Sequence, residues 1–313
     1  MTSFKKTVLA AAIAGAGMAG AGNAMAFAYA AAYDDIWDFS ILEFAGVITN
    51  IQQQTNSKAT ATYNNDSDAD SDPRDADVIN KGSAARLNND FYQGTGTYPD
   101  LLGKVGGYGV GDAWIPTLPT IGAGEATNYG EAYVAAGGNS ADGLGENELN
   151  ANITVTEGSQ LRFQFRGLPY LIAEVSGDDG DFASADVDFS ITLRQGGQTI
   201  FGWSPNGAID QSISGTVGGT EQRDDYDLNT EISAFGGMLF DEFAPGGPIG
   251  GAATAGLFRA TTNALSAGTY TLNVTMTENV NVETRPIPEP ASLALMSLGL
   301  MGIGAARRKS RKA

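Results

Sequence analysis

Two clusters of aspartate are the residues of this chain whose type and spacing best suit a defined chemistry. In "DSDADSDPRDAD", Asp66, Asp68 and Asp70 take the first, third and fifth positions of a twelve-residue stretch. Those are the positions from which a calcium loop of the EF-hand type directs its carboxylates. Such a loop must turn sharply for alternate oxygens to converge, and here Ser71 stands in place of the turn glycine, Arg74 holds the ninth position, and Asp77 replaces the bidentate glutamate. The departures make this stretch read as a solvated acidic segment. The second cluster, "SGDDGDFASADVD", offers Asp178, Asp179 and Asp181 beside a strongly alternating run that would hold a loop in shape. Calcium is the one cofactor these six aspartates would admit.

Inventory removes most other chemistry. The chain has no histidine and no cysteine, so Ser-His-Asp hydrolysis, Cys-His proteolysis, His-rich zinc sites and disulfides are all excluded. A pair of carboxylates acting on a glycoside survives that filter, with Trp114 and Trp203 as platforms for a sugar ring. With 36 acidic residues, pairs such as Asp224 and Asp241 can be named freely and none stands out, so no catalytic residue is assigned. "GGYGVGDAW" approaches a Gly-Gly-x-Gly-x-Asp calcium repeat, but Asp112 falls one residue late and the unit occurs once. Neither it nor "GAGEATNYG" has dinucleotide or P-loop spacing.

The elements that must position these residues read as strands. "SQLRFQFRG" alternates Leu161, Phe163 and Phe165 with polar neighbours, and Val187, Phe189, Ile191 and Leu193 share one face before Gly196-Gly197 turns the chain back toward Trp203. "AGTYTLNVTMTENVNVET" places Tyr270, Leu272, Val274 and Met276 inward and Thr271, Asn273, Thr275 and Thr277 outward. "YAAAYDDIWDFSILEFAGVITNI" favours a strand with Trp37, Phe39 and Ile41 on one face. Residues 64–90 are polar and acidic, and 94–145 are rich in Gly, Ala and Pro. Both imply long surface loops, with a short helix near 125–136. The expected fold class is mainly β, an antiparallel β-sandwich with acidic and Gly-rich loops over about 64–150. "AGTYTLNV" resembles the last strands of jelly-roll domains in secreted bacterial proteins.

Charge and the two termini indicate destination. Seven of the 18 cations lie at the ends, which leaves 11 against 36 carboxylates, or −25, between them. A field of that sign repels phosphate backbones, so nucleic acid is not an expected partner. At the N-terminus Lys5 and Lys6 precede a small-residue apolar stretch, Val8 to Gly22, and Ala24-Met25-Ala26 supplies the small-x-small pattern of a signal-peptidase site with cleavage set by Ala24 and Ala26. Residues 1–26 read as a signal peptide and 27–285 as the exported domain.

At the other end Pro288-Glu289-Pro290 precedes the uncharged run 291–306, "ASLALMSLGLMGIGAA", and the basic tail Arg307, Arg308, Lys309, Arg311 and Lys312. As a helix the run rises about 24 Å, slightly short of a hydrocarbon core of about 30 Å, and the basic tail would hold the C-terminus on the cytoplasmic side of the inner membrane. Residues 286–313 resemble the PEP-CTERM sorting signal of Gram-negative bacteria. The resemblance implies recognition by the membrane enzyme exosortase, transient anchoring, and delivery to the cell surface, outer envelope or an exopolysaccharide matrix. Together with the absence of a catalytic motif, this destination gives the expected function, a noncatalytic structural or adhesive component. A secreted carboxylate-based glycan-active enzyme and a calcium-dependent glycan-binding module are the alternatives.

The alternation over 187–193 carries its own test. Phe189→Ala should cost about 3–5 kcal/mol in chemical unfolding, whereas Asp188→Ala should change stability little.

Overall fold

The computed structural model describes residues 27–81, 107–117, 124–135, 137–176, 180–210, 212–236, 239–245 and 254–285. Fifteen strands and no helix run through them. In chain order they are β1 (Phe27–Ala45), β2 (Ile48–Tyr63), β3 (Asp66–Asp72), β4 (Asp75–Lys81), β5 (Gly107–Thr117), β6 (Gly124–Ala135), β7 (Ser140–Val155) and β8 (Gln160–Ser176). Next come β9 (Phe182–Gln195), β10 (Gln198–Trp203), β11 (Gly219–Asp224), β12 (Asn229–Phe235), β13 (Leu239–Phe243), β14 (Gly256–Thr262) and β15 (Gly268–Glu283). The first sheet runs β11, β14, β8, β1, β6, β5, β4, with β13 also on β8; the second runs β10, β9, β15, β7, β2, β3, with β12 also on β9. All of these pairings are antiparallel.

The two inner faces are filled unevenly. One end holds Phe163, Phe165, Phe189, Phe201, Phe258, Trp203 and Leu272, and Phe165 stacks on Phe258 with centroids 4.8 Å apart. The other end is built from Ala28, Ala30, Ala32, Ala132, Ala173, Ala183 and Ala185 with a few valines. Beside it, in the same rows, where β5 and β6 face β2 and β7, glycines take inner positions on β5, β6 and β7 among small residues such as Ala132 and Ala61. A Cβ on Gly109 would lie 2.0 Å from the Asp142 carbonyl, one on Gly111 2.1 Å from that of Leu144, and one on Gly143 2.0 Å from that of Val110. Face-to-face sheets ordinarily stand about 10 Å apart. Here backbone meets backbone, so the sandwich narrows from its aromatic end toward a glycine-lined corner of its alanine end.

This packing corrects the expectation for 94–145. Five of the described glycines there are inward residues of strands, at 107, 109 and 111 on β5 and at 143 and 145 on β7, while Gly137 and Gly138 form a bend before β7; Tyr108 and Val110 face the opposite side of the sheet and are buried as well. Residues 125–135, expected as a short helix, form β6, whose residues from Tyr129 to Val134 are packed between β1 and β5. The acidic stretch is likewise not a loop: β3 and β4 carry it, and β3 is an edge of the second sheet. Its carboxylates discourage pairing with another chain.

The hairpin at Gly196-Gly197 forms as expected, with φ of 57° and 84°. Phe189 is buried and Asp188 exposed. The face assigned to Trp37 differs: Asp38 has φ 53° and the pairing of β1 with β8 slips between Trp37 and Ser40. This bulge puts Ile36, Phe39 and Ile41 in the core and leaves Trp37 half-buried. An inserted residue inverts the alternation on one side of it.

The close approach predicts a sharp contrast between glycines. Gly143→Ala should lower stability by about 3 kcal/mol or more, since backbone must move to admit the methyl group. Gly202→Ala should be nearly neutral, because its Cβ would meet nothing nearer than Ser214 Oγ at 3.6 Å. Guanidinium unfolding of both variants checks this.

Candidate functional site

The aspartates singled out from sequence are not brought together. Asp66, Asp68 and Asp70 lie on the extended β3, where three alternate residues span about 14 Å, too far to share one cation at 2.3–2.6 Å. Asp68 and Asp70 instead accept from the N–H groups of Ala69 and Ser71 at 3.0 and 2.9 Å. Asp178 and Asp179 lie outside the described residues. Asp181 is buried, and its Oδ1 accepts from the N–H of Arg285 at 2.8 Å while its carbonyl accepts from Gly236 N–H at 2.9 Å.

The pair Asp224 and Asp241 is separated by the fold. Through Phe258, Asp224 aligns with Phe165 of β8, and Asp241 aligns with Ala173, eight positions along the same strand, or about 27 Å. Asp224 holds a turn: its Oδ2 accepts from the N–H groups of Asn206 and Gly207 at 2.8 and 2.9 Å. Burial pushes its carboxyl up to about 7 despite those donors. Its neighbour Glu221 accepts from the Trp203 indole and from Asp210 N–H. Trp203 is thus a core residue with its polar atom satisfied, and Trp114 is exposed on the side of the first sheet that faces away from the second.

A larger polar arrangement occupies the outer face of the second sheet. Register aligns Gln52, Asn152, Thr271 and Arg194 in one rung across β2, β7, β15 and β9; Gln54, Asn150, Asn273 and Thr192 form the next, and Asn56, Glu148, Thr275 and Ser190 the third. Strands about 4.8 Å apart and rungs about 6.8 Å apart make this a lattice of amides and hydroxyls, with Glu148 and Arg194 among them. Its members already bond to one another: Asn273 Nδ2 donates to Glu148 Oε1 at 2.8 Å and to Asn150 Oδ1 at 3.1 Å, and Ser190 and Thr275 hydroxyls meet at 2.8 Å. A shallow depression in it is lined by Gln52, Gln54, Asn150, Asn152 and Thr271. The alternation of 269–281 made part of this face legible, but the rungs need the register of four strands.

The second functional feature is where the ordered chain leaves the sandwich. Beyond β15, Thr284 is buried and its N–H donates to the Asn139 carbonyl at 2.8 Å, while its hydroxyl donates to the Ala135 carbonyl at 3.1 Å. Arg285 is next, held by Asp181. Ala24, Ala26, the tripeptide at 288–290, the run 291–306 and the basic residues Arg307, Arg308, Lys309, Arg311 and Lys312 lie outside the described residues. Phe27, the first described residue, pairs with Ala135 and Ser176 at the start of β1.

The PEP-CTERM protein-sorting motif matches residues 286–309, beginning at the residue after Arg285. No curated protein and no solved structure matches the chain.

Two measurements test the anchors. Asp181→Ala should cost about 1–3 kcal/mol equally in calcium and in chelator, because it strands a buried N–H rather than emptying a metal site. For Asp224 the folded pKa is raised above the usual 3.8, so its contribution is full below about pH 4 and is lost as pH rises through about 7. Melting temperature between pH 4 and 8 should therefore fall less steeply in Asp224→Asn than in the wild type.

Proposed function

We propose that this exosortase-targeted, exported protein is a noncatalytic structural or adhesive component of the cell surface or extracellular matrix, held to exopolysaccharide through the outer face of its second sheet. The sorting motif marks the chain for export and for processing by exosortase. The observation that supports the matrix role is the lattice of amides and hydroxyls on β2, β7, β15 and β9. An amide offers a donor and an acceptor together, which suits the paired hydroxyls of a glycan. A face of regularly repeated, self-bonded polar rungs also suits a repeating polymer better than a single small substrate, which is usually enclosed in a concave pocket.

Processing and binding are tested separately. Intact mass of protein recovered from a host with an exosortase should begin at Phe27 and lack the basic tail, whereas Glu289→Ala should remain in the membrane fraction with the tail attached. If both forms end at Ala313, the processing step is wrong. In co-sedimentation with the host exopolysaccharide, the double variant Asn150→Ala, Asn273→Ala should bind about tenfold more weakly, as expected for the loss of two neutral hydrogen-bonding groups. Unchanged binding would remove this face from the role. Release of new reducing ends by the wild type would replace it with the glycan-active enzyme.

A further inference from the structure

One row of inward residues interrupts the apolar interior where the aromatic end gives way to the alanine end. On β1 it is Asp34, between Ala32 and Ile36; on β15 it is Glu278, between Met276 and Val280. Asn128 of β6 stands directly across from Asp34. The three side chains are at most 1% exposed. Asn128 Nδ2 spans the gap between the sheets, donating to the Met276 carbonyl at 2.6 Å and to the Gly145 carbonyl at 3.4 Å. Its side chain therefore lies on the path from Asp34 to β15.

Five oxygens of this row make no hydrogen bond: Asp34 Oδ1 and Oδ2, Glu278 Oε1 and Oε2, and Asn128 Oδ1. The N–H groups of Asp35 and Leu168 point toward Asp34 and offset part of its burial, but not at ordinary hydrogen-bonding geometry. The charged groups that act on Glu278 are Asp34, Asp186 and Asp188, all negative. Burying even one carboxylate without a partner costs several kcal/mol, and a polar group without a hydrogen bond is costly too. Two protons would cancel the charges but would provide at most two donors for five acceptors. One divalent cation would cancel both charges and offer carboxylate and amide oxygens alike the partner they lack.

We propose that Asp34, Asn128 and Glu278 form a structural calcium site that ties the two sheets together inside the sandwich. The donor set is all oxygen, which selects a hard cation. Two bidentate carboxylates and one amide give five ligands, and calcium, with six to eight, completes its shell with a carbonyl or a water. Magnesium demands a near-ideal octahedron and keeps several waters, which a row flanked by the buried Ala32, Ile36, Met276 and Val280 would have to exclude. The site draws on β1, β6 and β15, so the bound ion would stabilise the packing of sheets rather than a loop. It is separate from the six aspartates that the sequence suggested.

The test uses the full-length protein, unfolded in guanidinium with chelator and refolded with or without calcium chloride. After gel filtration in metal-free buffer, elemental analysis should find one calcium per chain. The melting temperature should rise by about 5–10 °C at calcium 100-fold above Kd. Magnesium at the same concentration, or sodium at matched ionic strength, should do little. The double variant Asp34→Asn, Glu278→Gln keeps the shape and removes the charges; it should bind no calcium, show no calcium shift, and melt in chelator at or above the wild type. The proposal falls if the wild type retains no calcium, if all three cations act alike, or if the double variant keeps both the ion and the shift. Should the variant not fold, the calcium content of the wild type decides alone.

Discussion

The structure depends on the place where β5 and β6 lie backbone to backbone against β2 and β7. Side chains normally hold two sheets apart, and here the inward positions at 107, 109, 111, 143 and 145 have none. Dispersion contacts between the strands replace a conventional core at that end, and the backbone carbonyls leave no room for a methyl group. Because the sheets are continuous, a tight corner limits which side chains fit farther along each strand: alanine first, on β1, β6, β8 and β9, then phenylalanine, leucine and tryptophan where the sheets have diverged. The size of inward residues along β1, from Ala28 to Ile41, tracks that divergence.

A tapered interior also explains where polar groups are found. The row containing Asp34, Asn128 and Glu278 falls at the transition, where alanine no longer fills the gap and large apolar side chains have just begun. A second buried group, Glu131, lies on the other side of the first sheet and accepts from the hydroxyls of Tyr108 and Tyr129 at 2.8 and 2.5 Å. Burial and the charge of Glu131 hold the Tyr129 proton on well above the ordinary range. The first sheet thus buries both of its faces around β1 and β6, whereas the second buries one and leaves a hydrogen-bonded lattice on the other. That asymmetry distinguishes the two sheets.

The acidity of the chain has several separate physical meanings once the residues are placed. Asp66, Asp68, Asp70 and Asp72 guard an edge strand. Asp224 and Glu221 hold a turn by accepting from backbone N–H groups, and Asp181 fastens the residue after which the sorting motif begins. Asp34 and Glu278 face each other's sheets in the interior. Spacing along the chain does not distinguish these uses, because each depends on which oxygen meets which donor after the sheets have closed.

What the sequence alone determined was whatever rests on local order: the alternation of β8, β9 and β15, the diglycine hairpin, and the C-terminal succession of Pro-Glu-Pro, uncharged run and basic tail. These are read within one segment, so no partner strand is needed. Period-two glycines over 107–111 and 143–145 were equally visible, yet they resemble a flexible loop until the opposing backbone is present, and only its carbonyls 2.0–2.2 Å from the missing Cβ atoms make them strands. The bulge at Asp38, the rungs of the polar face and the meeting of Asp34, Asn128 and Glu278 were decided by tertiary structure. Each joins residues that lie about a hundred or more positions apart or turns on register against a neighbouring strand, and register is a property of the paired sheets rather than of any one of their strands.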